Sequence, residues 1–329
     1  MRARLGRTPA KAVSFGVPPL ALDLGPVTLM IDGAMASVAA SARLYDFGVA
    51  AFAVRVPAQD MAWADFTRLV NRVDIAATAA VWRELLGRME AALGDALIRP
   101  TPVRLEEDYL IAEVEAFDAP VTAEELLARL DLVPLLSGED RSLSAAARDG
   151  LLRQRFSYFV DDLAVITWDR AFLYEPRRDR DVADVLEMAN AQLLEMRAYD
   201  ELLDAELPRL RGMVEAARGG VNLLAARRYA RLARRLHTLV AEVTEISERV
   251  DNALQVTEDV YLARVYAAAM ELFRVASVNT AVDRKLRIIR DTYTALHSEA
   301  AGARAEALEI AILGLILLEI VLSLVRQAG

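Results

Sequence analysis

The last residues of the chain, "EALEIAILGLILLEIVLSLVRQAG", constrain its fold more than any other stretch. From Ile310 to Leu318 the run is apolar on every helical face, and Ala305 to Val325 supplies about 21 residues, enough to cross a hydrocarbon core of about 30 Å. A central helix of a soluble bundle is the competing reading, but such helices carry about 10–14 apolar residues and need neighbours on all sides. The segment is therefore expected to be a C-terminal membrane anchor, with Ile310, Leu313, Ile316, Leu317, Ile320 and Leu324 meeting lipid or a partner helix. Arg284, Lys285, Arg287, Arg290 and Arg304 precede it, which by the positive-inside tendency places the body of the chain in the cytoplasm.

Glu319 lies within this run, where an unpaired charge near the centre costs about 2.5–3.5 kcal/mol. It has three ways to avoid that cost: reaching Arg326 or the headgroups, staying protonated, or facing another protein helix. Alternatively, the span ends at Leu318.

Upstream, strand and helix signals mix as far as Pro176. From about 27 to 57 the chain reads as strands, with "VTLMID", a turn at Asp32-Gly33 and then "LYDFGVAAFAVRV", and "WADFTRLVNRV" and "TAAVWRELLGRMEAAL" have helical spacing. "TPVRLEEDYLIAEVEAF" returns to strand character. "TAEELLARL" opens with a Thr122 to Glu125 capping box. "RFSYFVDDLAVITWDRAFLYEP" reads as a hairpin with Asp161-Asp162 in its turn. Beyond Asp179 the strands stop. A helix over 182–214 contains Pro208, and later helices carry apolar seams, the last through Val282, Leu286, Ile289, Tyr293, Leu296, Ala300, Ala303 and Ala307. The expected architecture is α+β: a disordered basic tail (1–22), a mixed α/β domain (23–176), an all-α helical bundle or coiled-coil stalk (179–304) and a transmembrane helix (305–325). The last seam narrows to small residues, which let helices approach closely, so a homo-oligomer is expected.

Composition excludes several chemistries. With no cysteine there is no disulfide and no thiolate metal site, and His237 and His297 are the only imidazoles. A formal net charge of −9 argues against direct nucleic-acid binding. The basic helix face "RRYARLARR" is read as solvated or as a partner contact. Asp161-Asp162 are read as turn residues and Asp259, Tyr261 and Tyr266 as a hydrogen-bonded structural cluster. No catalytic, cofactor or metal residue is nominated.

"DLAVITWDRAFLYEP", "ANAQLLEMRAYDELLD", "VDNALQVTEDVYLARVY", "VDRKLRIIRDTY" and "LEIAILGLILLEIVL" occur in that order over about 156–322. Together they resemble the family of proteins required for meiotic nuclear division and its bacterial YagE-like relatives. The resemblance implies an α+β N-terminal domain, a helical C-terminal domain and a hydrophobic last helix, without an assigned reaction. It also implies a self-associating membrane scaffold that tethers ribosomes or translation factors, here at a bacterial inner membrane. Asp259, Tyr261, Tyr266, Lys285, Glu309 and Glu319 fall on its pattern. The alternative is an enzyme or an ion-handling protein that resembles CorA-type magnesium channels in outline, although the Gly-Met-Asn signature and second span of that family are missing.

Overall fold

The computed structural model describes residues 3–5, 17–97, 105–139, 141–218 and 259–292, with isolated positions in 234–241 and 294–316. Two compact units are formed, one from Met1–Arg197 with Arg249–Ser277 and the other from Ala198–Glu248 with Val278–Gly329.

In the first unit, strands β1 (Ala3–Leu5), β2 (Leu20–Ile31), β3 (Ala34–Leu44) and β4 (Ala50–Arg55) form an antiparallel sheet in sequence order. Residues 3–5 pair with 20–22, so the stretch expected to be a disordered tail contains paired strand. β2 buries Leu22 and Leu24 and then Val27 and Leu29, a change of parity that a regular strand cannot make while keeping one face inward. A register shift between Asp23 and Gly25 supplies the missing residue, with Gly25 at φ +74° and its N–H donating to Asp23 Oδ1 at 2.9 Å. Arg88 satisfies the disturbed backbone by donating to the carbonyls of Leu24 (3.1 Å) and Pro26 (2.8 Å).

Helices α1 (Trp63–Ala76) and α2 (Ala79–Leu93) follow, as their spacing predicts. Leu85 and Met89 of α2 pack with Leu24, Leu29, Val38 and Ala42 into the core of this sheet.

A second sheet has the order β5-β8-β7-β6, from β5 (Leu110–Val114), β6 (Arg155–Phe156), β7 (Leu163–Ile166) and β8 (Arg170–Tyr174). β5 runs parallel to β8 and the other pairs are antiparallel. The expected single hairpin is thus three strands and two turns. Every residue of β7 and β8 is buried, as expected of central strands covered on both faces. Leu163, Val165, Phe172 and Tyr174 share one face and pack with Leu126, Leu132, Leu135 and Leu136 from the short helices α3 (Ala123–Arg129) and α4 (Val133–Ser137). The capping box at the start of α3 forms as predicted, Thr122 and Glu125 exchanging side-chain-to-backbone hydrogen bonds. α5 (Ala145–Leu151) is capped by Ser144.

α6 (Asp181–Arg218) is a continuous helix that carries Pro208 inside it. Its N-terminal part is tied to the first sheet: Arg43 Nη1 donates to Asp184 at 2.7 Å and Glu187 at 3.1 Å, and the Tyr45 hydroxyl donates to Glu187 at 2.8 Å. α7 (Val260–Leu272) buries Leu262, Val265, Ala268 and Ala269, and Phe273 meets the Tyr109 ring edge-on at 5.2 Å. After Leu272 the chain makes a turn in which Arg274 takes φ +55°, and helix resumes over 275–292.

In the second unit, Val282, Leu286 and Ile289 of the predicted seam are buried, and Lys285 Nζ is held by Asp200 Oδ1 at 2.7 Å and Asp204 Oδ1 at 2.6 Å. Tyr293, Leu296, Ala300, Ala303 and Ala307 lie outside the described residues, as do Ile310, Leu317, Glu319, Ile320 and Leu324. The fold is mixed α+β, with the sheets N-terminal and the long helices later. Among the described residues no helix is long and apolar enough to cross a membrane, so the expected transmembrane helix has no support there.

Candidate functional site

The loop between β6 and β7 is fixed from within. Asp162, 5 % exposed, accepts from the backbone N–H of Tyr158 at 2.7 Å and of Phe159 at 3.0 Å. The Ser157 hydroxyl donates to the Asp162 carbonyl at 2.9 Å. Asp161 and Asp162 do occupy a turn, but the second carboxylate is the buried acceptor that organises it.

This folding turns Tyr158 and Phe159 outward, 61 % and 45 % exposed. Their rings meet edge-on at 4.6 Å, and Tyr158 also meets Tyr261 of α7 at 5.4 Å. The Arg177 guanidinium lies 3.3 Å from the centre of the Phe159 ring, with Asp161 at 3.7 Å and Asp162 at 4.0 Å.

Tyr158, Phe159, Asp162, Arg177 and Tyr261 line an open cleft of about 400 Å³. The end of β5 contributes Glu113 and Glu115, and the segment after β8 contributes Glu175, Arg177, Arg178, Asp179 and Arg180. Asp181 opens α6, and Asp259 caps α7 by accepting from the N–H groups of Tyr261 (2.8 Å) and Leu262 (3.4 Å). Seven carboxylate residues therefore face three arginines. Arg178 reaches Glu115 at 3.0 Å and Arg180 reaches Glu113 at 3.4 Å.

Burial acts first on the titratable groups of the cleft, and the carboxylates add to it. Burial, then the nearby carboxylates of Asp162, Glu175 and Asp259, push the Tyr261 phenol upward. Burial likewise raises Glu175, although it accepts the Arg177 N–H at 3.1 Å. Such a field attracts positive charge. Among the described residues no group of three His, Asp or Glu side chains is arranged to hold a metal ion.

Of the residues singled out in the sequence, Asp259 and Tyr261 reach this cleft. Tyr266 donates from its hydroxyl to Gln192 Oε1 on α6, a partly buried bond. Lys285 belongs to the ion pair with Asp200 and Asp204. Glu309 is exposed. Tyr158, Phe159, Glu175 and Arg177 were not anticipated. Their signal was the density of aromatic and charged residues in "SYFVDD" and "YEPRRDRD", which brackets the buried β7–β8 pair.

Residues 1–181, more than half of the chain, match the family model described as Uncharacterized protein MJ0711, N-terminal domain. The chain belongs to this family. The match takes in both sheets and reaches the first residue of α6, so Asp162, Glu175 and Arg177 lie inside the MJ0711 N-terminal domain, whereas Asp259 and Tyr261 lie beyond it. A relative, Uncharacterized protein MJ0711 of Methanocaldococcus jannaschii, is 24 % identical over 196 residues, which are 59 % of this chain and 59 % of that protein. The chain thus spans less than two thirds of the relative it matches. No solved structure matches the chain. The resemblance drawn from the sequence rests on residues 156–322 and meets the MJ0711 match only over 156–181.

Proposed function

We propose that this chain is a tail-anchored, self-associating membrane scaffold, its residues 305–325 inserted in a bacterial inner membrane and the bulk of the chain on the cytoplasmic side. The observation that carries the reading is the exposure of the apolar run: Ile312, Leu313, Leu315 and Ile316 are helical and 50 %, 61 %, 64 % and 47 % exposed. At about 100° per residue these four positions cover nearly half of a helix circumference. Water is a poor neighbour for so wide an aliphatic surface, and lipid or a second apolar helix is a good one. The arginines of 284–304 supply the basic flank that keeps the body of the chain on the cytoplasmic side.

Self-association follows from Glu319, which needs a protein neighbour or a proton within the span. Val282, Leu286 and Ile289 are covered within one chain, so the contact between copies is assigned to the small-residue stretch Ala300, Ala303 and Ala307 and to the span itself. The resemblance to the required-for-meiotic-nuclear-division and YagE-like family extends the reading to its partner, translation machinery held at the membrane. Affinity capture of the cross-linked, detergent-extracted full chain tests this. Ribosomal proteins and further copies of the chain are expected in the captured material, and a monomer without either contradicts the proposal.

A further inference from the structure

We infer that the cleft of the first unit is a docking site for a basic segment of a partner protein, one that carries arginine beside an apolar residue. The inference stands apart from the membrane reading, since every group it uses lies in the first unit.

Three observations converge. The first is charge: Glu113, Glu115, Asp162, Glu175, Asp179, Asp181 and Asp259 outnumber Arg177, Arg178 and Arg180, so the charge balance of the cleft favours a cationic guest. The second is a cation already seated there. Arg177 lies on the face of Phe159 with Asp161 and Asp162 beside it, the arrangement of aromatic ring and carboxylate that recognises a guanidinium. Tyr158 and Tyr261, with Glu175 and Asp259 around the same cleft, repeat these elements.

The third observation selects a peptide over a small cation. Tyr158 and Phe159 form an apolar rim, 61 % and 45 % exposed. A polyamine would satisfy the carboxylates and leave that rim in water. A peptide segment fills about 400 Å³ with one or two side chains and covers the rim with an apolar neighbour, which matches the mixture of arginine and aromatic contacts that dominates protein interfaces.

The test uses the full chain in mild detergent and a short fluorescent peptide alternating arginine with phenylalanine, with the glutamate-for-arginine peptide and spermine as comparisons. The arginine peptide is expected to bind, to weaken as salt rises, and to lose about tenfold in affinity in each of Glu175→Gln and Phe159→Ala, a typical effect for a central interface side chain. Glu175→Gln keeps shape while removing charge, and the half-exposed ring of Phe159 can be lost without opening a core. An unchanged urea midpoint in both variants separates lost binding from lost folding. The inference is overturned if the peptide does not bind, if the glutamate peptide binds equally, or if neither substitution affects binding. It is also overturned if spermine binds as tightly and ignores Phe159→Ala, which would make the cleft a small-cation site.

Discussion

The guanidinium of Arg170 is packed so closely on Gly138 that a Cβ at position 138 would stand 2.4 Å from Arg170 Nη2. Gly138 also holds φ +66° as the left-handed cap of α4, so two independent constraints demand glycine there. The arginine is held by Asn71 Oδ1 (2.7 Å), the Leu135 carbonyl (2.9 Å) and Asp74 Oδ2 (2.5 Å), joining β8, α1 and α4 beneath the sheet. Gly138→Ala is expected to destabilise the chain by about 1–3 kcal/mol through strain alone. Arg170→Lys should cost a similar amount, because one ammonium cannot reproduce the guanidinium fork. Urea unfolding of both variants measures this, and midpoints equal to the wild type would show that the contact is idle.

Arg43, Tyr45 and Glu187 link the first sheet to α6, and their link depends on pH. Burial raises the Glu187 carboxyl above its ordinary value even though Arg43 and Tyr45 favour its charged form. The folded state therefore binds this proton more tightly than the unfolded state, and its contribution to stability falls as pH rises from the ordinary glutamate range through the raised value. Arg43→Met leaves that carboxylate without its cation. The loss of stability should be about 1–3 kcal/mol at pH 7 and smaller at pH 5, where Glu187 is more readily protonated. A loss independent of pH would place the effect in packing instead.

Lys285 is expected to matter for the second unit and not for a reaction. Burial disfavours its charge, but the hydrogen bonds it donates to Asp200 and Asp204 outweigh that effect and raise it overall. Its contribution is fully present at neutral pH and is lost only as pH rises through the raised lysine value. Lys285→Met should destabilise by about 1–2 kcal/mol and Lys285→Arg by less, as read by thermal unfolding in detergent. Equal stability of Lys285→Met and the wild type would make the two aspartates incidental neighbours.

How much of this was legible in the sequence follows from which physical signal each element carries. The helical spacing of 63–76 and 79–93 and the Thr122 to Glu125 box are local patterns, and they appear as read. β3 falls within the strand-like stretch 27–57, but its bounds were hidden because "AMASVAASARL" has the composition of a helix and becomes a strand only by pairing with β2 over its whole length. The bulge at Asp23 and Gly25 hid the inward face of β2 in the same way, by breaking the period of two. In the cleft, the cap Asp259 and Tyr261 were recognised as special positions. Asp162 was read as a turn residue, and nothing local reveals that the turn folds its carboxylate inward. Glu175 and Arg177 acquire their setting from β5, α6 and α7, whose approach no spacing in "YEPRRDRD" encodes.

The anchor is decided by the partition of the full chain after an alkaline carbonate wash of membranes, run beside a chain ending at Glu309. The full chain should remain in the membrane pellet and the shortened chain should be released as folded protein, because both apolar cores of the first unit and the buried Leu203, Val282, Leu286 and Ile289 of the second all lie before Glu309. Release of the full chain into the wash with peripheral proteins would contradict the membrane scaffold directly.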